Sequence, residues 1–313
     1  MFKKRSLVSK LWLKYKDRNL YKQYKWEQSN YTEQEVLNFF TGSDRLDTQE
    51  KIIAVAKEDK QLNIIHSGNA GDIIYALPTI KKIFELTGVP INFYLRLNQP
   101  LIMSGYNSHP MGNVRLNQSM AAMLYPILNL QNYLHKCETY QNQKIHIDLD
   151  FFRSKIISQT NSNLARWYSY VTGITPELWK SWLNTESDFS YADKIILARS
   201  ERYCNSTIDY SFLKNYNNVL FVGVKSEYET MKKIVPNLQW IQVKDFLELT
   251  RIIAGCKFFI GNQSFPYSIA EGLKVPRILE AYYHISNVIP EGKNAYDFYF
   301  QNHFESLVNQ LSK

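Results

Sequence analysis

Apolar and polar positions divide the chain into stretches of different rhythm. Leu62–His66 is a short apolar run, Ser67–Gly71 a small-residue loop, and Asp72–Thr87 a stretch with helical period. That order predicts strand, loop and helix. Gly88-Val89-Pro90 ends the helix, and Ile91–Leu97 reads as the next strand. Residues 101–143 have no clear period and read as short helices rich in Asn and Gln. Ile145–Leu149 returns to strand, and residues 152–183, with Trp167, Trp179 and Trp182, read as helical. The polar Asn184–Ser190 reads as a linker. After it the alternation restarts, with strands at Lys194–Ala198, Val219–Val224, Trp240–Val243, Phe258–Ile260 and Arg277–Ala281. Helices are expected at Glu227–Ile234, Asp245–Ala254, Pro266–Leu273 and Phe304–Leu311. Ahead of all this, Thr32-Glu33-Gln34-Glu35 spells a capping box that opens a helix through Phe40. Thr41–Asp44 breaks it, and a second helix covers Thr48–Lys57.

Strands alternating with helices at this spacing mean an α/β protein whose parallel sheets are covered on both faces. Two such runs split by a linker predict two Rossmann-like, doubly wound domains facing across a cleft. Ligands then bind at the carboxyl ends of the strands. The expected division is a helical extension over 1–60, a first domain over 61–185 and a second over 186–313. A length of 313 residues suits two domains. With 45% hydrophobic and 21% charged residues, the collagen, coiled-coil and disordered classes drop out. No apolar run approaches the roughly 20 residues needed to span a bilayer. The start of the chain lacks the apolar core of a signal peptide. Cys137, Cys204 and Cys256 lie far apart with no CxxC, which fits a reducing compartment and excludes a disulfide framework or zinc cluster. The expected location is the cytoplasm.

The charge changes the picture. The net charge is +8, yet residues 1–26 alone hold nine Lys/Arg and one acid, Asp17. The remainder carries 28 basic and 28 acidic residues and is neutral. A nucleic-acid groove running across the whole protein is therefore not expected. Within the basic segment Val8, Leu11, Trp12 and Tyr15 fall on one helical stripe. Such a helix suits an anionic membrane surface. Nucleic-acid phosphates or an acidic partner also suit it, and the plainer alternative is an extension packed on the protein's own domain with its lysines in water.

Three loops hold candidate chemistry. In Ser67-Gly68-Asn69-Ala70-Gly71-Asp72, glycines let the backbone approach a ligand, and Asp72 stands near a helix N-terminus where positive backbone charge favours a carboxylate. Only Gly68 and Gly71 are present, so the GxGxxG dinucleotide fingerprint is missing. The plainer alternative is that Asp72 only caps the helix. In Ala198-Arg199-Ser200-Glu201-Arg202-Tyr203, two arginines three apart end a buried strand, and Asn205 follows. Their planar donors suit phosphate oxygens, unless they only pair with Glu201 and its neighbours. In Gly261-Asn262-Gln263-Ser264-Phe265-Pro266, polar groups crowd the mouth of a helix whose free N–H groups can hold an anion. Glu271 lies two turns further and could accept hydrogen bonds from a ribose diol, or stand in solvent. Together these loops place an acid on one domain and a phosphate site on the other, which suits transfer from an activated phosphate donor to an acceptor hydroxyl.

These motifs resemble the bacterial heptosyltransferase type of GT-B glycosyltransferase (glycosyltransferase family nine), including O-heptosyltransferase-like proteins. Gly71-Asp72 with Pro78 matches the family's first-domain loop. Gly261-Asn262-Gln263-Ser264-Phe265-Pro266-Tyr267-Ser268-Ile269-Ala270 matches its Gly-Asn-Asp-Ser-Gly-Pro-x-His-x-Ala run, with Gln263, Phe265 and Ser268 as departures. Arg199 to Tyr203, followed by Val222-Gly223 and Tyr228, resembles the O-heptosyltransferase-like branch. The likeness covers about residues 62–290. It implies an inverting, metal-free transfer of a sugar, a heptose or hexose, from a nucleotide-diphosphate sugar, with no other cofactor. The acceptor would be a glycan, lipid, protein or modified nucleic acid. It implies that Asp72 is the general base, that Arg199 and Arg202 neutralise the leaving diphosphate, and that Asn205, Gly261, Asn262, Gln263 and Ser264 hold phosphate. It further implies that Glu271 holds the ribose. The acceptor side would comprise Gly68, Asn69, Gly71, Tyr106, His109 and Gln131. Asp148-Leu149-Asp150 spells DxD, but it ends a first-domain strand beside Arg153, so it is read as acceptor side and no metal site is expected. The rivals are a nucleotide-sugar epimerase on the same architecture and a non-catalytic nucleotide-sugar-binding or scaffold protein.

Overall fold

From Leu62 onward most strands and helices begin near the breaks in the sequence pattern, and the central strands are built from its apolar runs. The computed structural model describes residues 2–41, 44–101, 113–154 and 157–313. The chain forms two units, Met1–Arg45 and Leu46–Lys313.

The first unit holds α1 (Leu7–Lys16) and α2 (Arg18–Thr41). The helix expected to open at Thr32 begins far earlier. Asp17 accepts hydrogen bonds from the N–H groups of Asn19 and Leu20 at 2.9 and 3.0 Å, so it caps α2 at its first turn. Thr32 sits inside that helix and its hydroxyl donates to the Gln28 carbonyl at 2.8 Å. Phe2 stacks on Tyr24 and Tyr31 at 5.3 and 5.4 Å between ring centroids, and Arg5 N–H donates to the Tyr24 hydroxyl.

The second unit opens with α3 (Gln49–Asp59). Its Ile52 and Ala56 are buried in the main core of this unit, so α3 does not belong to a 1–60 extension. Then come β1 (Leu62–His66), α4 (Ala70–Thr87), β2 (Ile91–Leu95), α5 (Gln118–Asn129), β3 (Lys136–Thr139), β4 (Ile147–Asp148) and α6 (Leu164–Thr172). The second run is β5 (Ile195–Ala198), β6 (Val219–Val222), α7 (Lys225–Ile234), β7 (Gln239–Ile241), α8 (Phe246–Gly255), β8 (Phe258–Gly261), α9 (Phe265–Leu273), β9 (Arg277–Glu280), β10 (Ala295–Phe298) and α10 (Gln301–Ser312). The strands form two all-parallel sheets, ordered β3-β2-β1-β4 and β10-β9-β8-β5-β6-β7. These are two Rossmann-like lobes facing a cleft.

Alternation along the second sheet shows how both faces are covered. Ile195 and Leu197 of β5 and Phe258 and Ile260 of β8 face a core closed by Phe304, Leu307 and Val308 of α10. Ile196, Ala198 and Phe259 face the opposite core, which also takes in Tyr267 of α9 and Ile74, Leu77 and Ile80 of α4. That second core runs through both lobes, so α4 and α9 pack across the lobe boundary.

Three further expectations fail for identifiable reasons. Among the described residues of 152–183 the α-helix is confined to α6, because Gly173 takes a left-handed φ of 68° at the helix end and Pro176 follows. Strand β3 lies within residues read as short helices, and β10 had no expected strand. Both are edge strands with little buried side chain, so their apolar signal is weak.

Candidate active site at the facing switch points

In each sheet the chain reverses direction of build. The first lobe runs from β1 out to β2 and β3, then returns to place β4 on the other flank of β1. The second runs from β5 to β6 and β7, then returns to place β8, β9 and β10 on the other flank of β5. Crevices therefore open at the carboxyl ends of β1/β4 and β5/β8. Residues 67–72 and 149–153 line the first, and residues 199–205 and 262–264 the second.

At the first crevice, Asp72 occupies the third position of α4. Its Oδ2 accepts from the Asn69 N–H at 3.1 Å and from Arg153 Nη2 at 2.7 Å. Its Oδ1 makes no hydrogen bond among the described residues. Arg153 comes from the tight turn 149–153 that follows β4, with its guanidinium 4.3 Å over the Phe152 ring. Burial works against the Arg153 charge, but Asp72, Tyr168 and Asp150 hold its pKa above the ordinary arginine value. Asp150 accepts from the Ser67 N–H at 3.1 Å, and its second oxygen is buried without a partner among the described residues. Burial opposes the Asp150 charge, yet His66, Ser67 and Arg153 hold its pKa below the usual carboxylate value.

Beneath this pair lies a hydrogen-bonded chain. Gly68 N–H donates to His66 Nδ1 at 2.8 Å, so the other ring nitrogen carries the proton and donates to the Tyr168 hydroxyl at 2.9 Å. Tyr168 in turn donates to the Asp72 carbonyl at 2.8 Å. His66 is fully buried, and burial lowers its pKa to about 4, so the ring stays neutral. This chain clamps the loop from both ends and aims the first turn of α4. Gly68 is required here, since a Cβ would lie 2.3 Å from His66 Cε1 and 2.6 Å from Asp72 Cβ.

At the second crevice the Asn262 side chain, wholly buried, joins two loops. It accepts from Ser200 N–H at 3.0 Å and donates to the Ser200 carbonyl at 2.7 Å. Gly261 admits no Cβ, which would stand 2.9 Å from the Ala198 carbonyl. Ser264 stands at the N-cap position of α9 with its hydroxyl turned to the Asn262 carbonyl, and Pro266 lies in the first turn. Gln263 donates to Asn287 Oδ1 at 2.7 Å and buries a carbonyl oxygen that has no partner among the described residues. Arg202 makes no ion pair among the described residues, and its guanidinium lies 5.3 Å from the Tyr203 ring centroid.

Arg199 is a different matter. Its Nε and Nη2 grip the two oxygens of Glu280 at 2.7 and 2.8 Å, and Glu280 is wholly buried. Asn205 N–H and the Tyr210 hydroxyl also donate to Glu280. The Asn205 side chain is turned to Thr207 and Tyr299. The fork expected for a diphosphate is thus committed to holding β5 and β9 together. Burial disfavours the Arg199 charge, and Glu280 with Tyr210 more than restores it.

Other expected residues stand elsewhere. Glu271 is 2% exposed and paired with Arg277 and Lys274, and it accepts from the Glu291 N–H at 3.1 Å. Arg277 begins β9, so this network lies at the amino end of the sheet, away from the crevice. Burial lowers the Lys274 pKa to about 8. A ribose cannot reach Glu271 there. Gln131 is also buried. It donates to the Ile127 and Asn184 carbonyls and accepts from Asn184 N–H, which clasps α5 to the chain after α6. Tyr106 and His109 lie outside the described residues. Asp148 caps the turn by accepting from Asp150 N–H at 2.9 Å, while Asp150 turns to Ser67, so the two carboxylates do not converge. Among the described residues no group of three or more His, Cys, Asp or Glu is placed to hold a metal.

The two crevices face each other. Burial raises the Tyr203 phenol pKa, Arg202 opposes the rise, and the Asp72 carboxylate of the other lobe adds to it. Gly71 of α4 comes against α9, where an added Cβ would sit 3.9 Å from Phe265 Cα and from Ser268 Oγ.

Among the solved structures that match, two share the fold as follows. A glycosyltransferase of family 9 from Veillonella parvula superposes with a TM-score of 0.50 at 9% identity, over 80% of this chain and 88% of that one. ADP-heptose LPS heptosyltransferase II from E. coli superposes with a TM-score of 0.54 at 9% identity, over 80% and 98%. The fold is GT-B. At such identity the likeness speaks for the GT-B fold and not for a substrate. No family model and no curated protein matches the sequence.

Within that GT-B frame the sequence motifs missed several residues. His66 and Tyr168 carry no local signature and meet only in space. Arg115 stands half-buried near Arg153, and burial and that neighbour lower its pKa. Glu227 lies in the first turn of α7, at the carboxyl end of β6, and a Cβ on Gly223 would lie 3.2 Å from its Oε2. Burial pushes its carboxyl up to about 7, backbone hydrogen bonding at Val224 works against the rise, and Glu201 adds to it. An acid just beyond a strand-ending glycine is the signal that would have found it.

Proposed function

We propose that the chain is a glycosyltransferase that moves a sugar from a nucleotide-diphosphate sugar to an acceptor hydroxyl, with inversion and without a metal. The observation that carries this reading is Asp72 at the first switch point, with one carboxylate oxygen held by Arg153, the other without a hydrogen bond among the described residues, and its charge felt by Tyr203 of the opposite lobe. That second oxygen takes the acceptor's proton as the acceptor oxygen bonds to the sugar's anomeric carbon. The bond from that carbon to the diphosphate breaks on the far side, and its electron pair leaves with the diphosphate. Arg202, the Ser264 hydroxyl and the Phe265 N–H at the start of α9 receive the charge that develops there, since Pro266 has no N–H and those of Tyr267 and Ser268 donate to the Ser264 carbonyl. Glu227, not Glu271, accepts the ribose hydroxyls, because it lies at the carboxyl end of the sheet. Arg199, Asn205 and Asn262 hold these loops in place.

Calorimetry with ADP, GDP, UDP and CDP, followed by transfer assays with the sugar of the base that binds, tests the reading. One nucleoside diphosphate should bind, and its nucleotide sugar should be consumed only with an acceptor or slowly by water. Isomerisation of free donor would instead identify an epimerase, and binding without turnover a scaffold. Absence of all nucleotide binding would end the proposal.

A further inference from the structure

Helix α1 presents an apolar face to solvent. At about 100° per residue, Leu7, Leu11, Tyr15, Val8 and Trp12 follow one another around a contiguous arc of about 140°. All five are exposed, from 56% for Trp12 to 93% for Tyr15. Leu13, on the opposite side, is buried. Lys14 borders one edge of the arc and Lys16 the other, and Lys16 Nζ stands 4.5 Å from the Trp12 ring centroid. The helix is flanked by Lys3, Lys4, Arg5 and Arg18, all exposed. Asp17, the one acid in residues 1–26, is spent capping α2.

We infer that this face of α1 docks on an anionic phospholipid bilayer, with the five apolar side chains among the acyl boundary and the lysines at the headgroups. The charge sets the choice of occupant. A nucleic acid would use the lysines and leave the apolar arc in water, whereas a bilayer of anionic lipid takes up both. Trp12 and Tyr15 are amphipathic rings of the kind that settle at the membrane–water boundary. Among the described residues no helix is long and apolar enough to cross a membrane, so the contact lies in the interface plane. The inference does not rest on the sugar-transfer reading.

The test is sedimentation of the full chain with vesicles of phosphatidylcholine alone and of phosphatidylcholine mixed with phosphatidylglycerol. The wild-type chain should partition to the anionic vesicles far more than to the neutral ones. Lys14→Glu with Lys16→Glu should weaken that partition by about tenfold or more, given roughly 1 kcal/mol for each basic residue near such a surface. Leu11→Glu should weaken it comparably by placing a charge in the apolar arc, while thermal unfolding stays unchanged because Leu11 is exposed. No preference of the wild-type chain for anionic vesicles overturns the inference. So does unchanged vesicle binding by Leu11→Glu, since the contact would then be charge alone. Wild-type binding to duplex DNA at least as tight as to the anionic vesicles would name a polyanion in place of a bilayer.

Discussion

Arg153 Nη2 donates to Asp72 Oδ2 at 2.7 Å, across 81 positions of sequence. The contact joins the turn after β4 to the first turn of α4, the two segments that flank the first lobe's switch point. It fixes one oxygen of the carboxylate and leaves the other without a hydrogen bond among the described residues. Both side chains are 18% exposed, which makes the pair less screened than a surface ion pair.

Asp72→Asn keeps the size of the side chain and removes the base. Turnover should fall by about 100-fold or more, on the scale of a lost general base. The dissociation constant for the nucleoside diphosphate should stay the same, because that ligand belongs to the other lobe. Steady-state rates and calorimetry on the same preparation check both. Full turnover in this variant would remove Asp72 from the chemistry.

The two arginines three apart should separate cleanly. Arg199→Ala leaves Glu280 charged and wholly buried, which should cost about 3–5 kcal/mol of stability, as for any broken buried pair. Arg202→Ala breaks no ion pair and should leave stability within about 0.5 kcal/mol. It should weaken nucleotide binding by about 1–3 kcal/mol, the worth of charge-assisted hydrogen bonds. Denaturant unfolding and calorimetry read the two effects apart, and the reverse pattern would exchange their roles.

Gly68 and Gly71 make a matched pair. Gly68→Ala drives a methyl to 2.3 Å from His66 Cε1, so it should cost about 1–3 kcal/mol or more and disturb Asp72. Gly71→Ala meets its neighbours at 3.9 Å, an ordinary contact, and should fold like the wild type. Equal melting temperatures for wild type and Gly68→Ala would contradict the clamp described for this loop.

Glu227 gives a pH signature. Its folded pKa of about 7 lies above the ordinary 4.5, so the native state binds the proton more tightly than the unfolded chain. The resulting stability is complete below about 4.5 and is lost as pH rises through about 7. Glu227→Gln lacks that loss. Its melting temperature should therefore gain on the wild type between pH 5 and 8, in differential scanning measurements. Curves that stay parallel over this range would mean that Glu227 is not buried in the folded protein.

Periodicity and punctuation carried most of the architecture. The runs at Leu62–His66, Val219–Val222 and Phe258–Gly261 are buried strands. A central parallel strand needs apolar side chains on both faces and announces itself by composition. Edge strands β3 and β10 bury little, so their residues look like loop. The loops after β1 and β8 were also legible, because glycine, polar residues and a helix start follow an apolar run at each, and the loop after β5 because two arginines end its run. What those polar residues do was decided by the fold. Arg199 and Arg202 look alike in sequence, yet only Arg199 meets Glu280, which arrives 81 positions later on β9. Glu271 and Glu227 are both helical acids, but strand direction places one at the amino end of the sheet and the other at the carboxyl end. Local pattern sets backbone shape through short-range sterics and burial. The partner of a charge depends on which distant strands are neighbours, and chain pairing in space settles that.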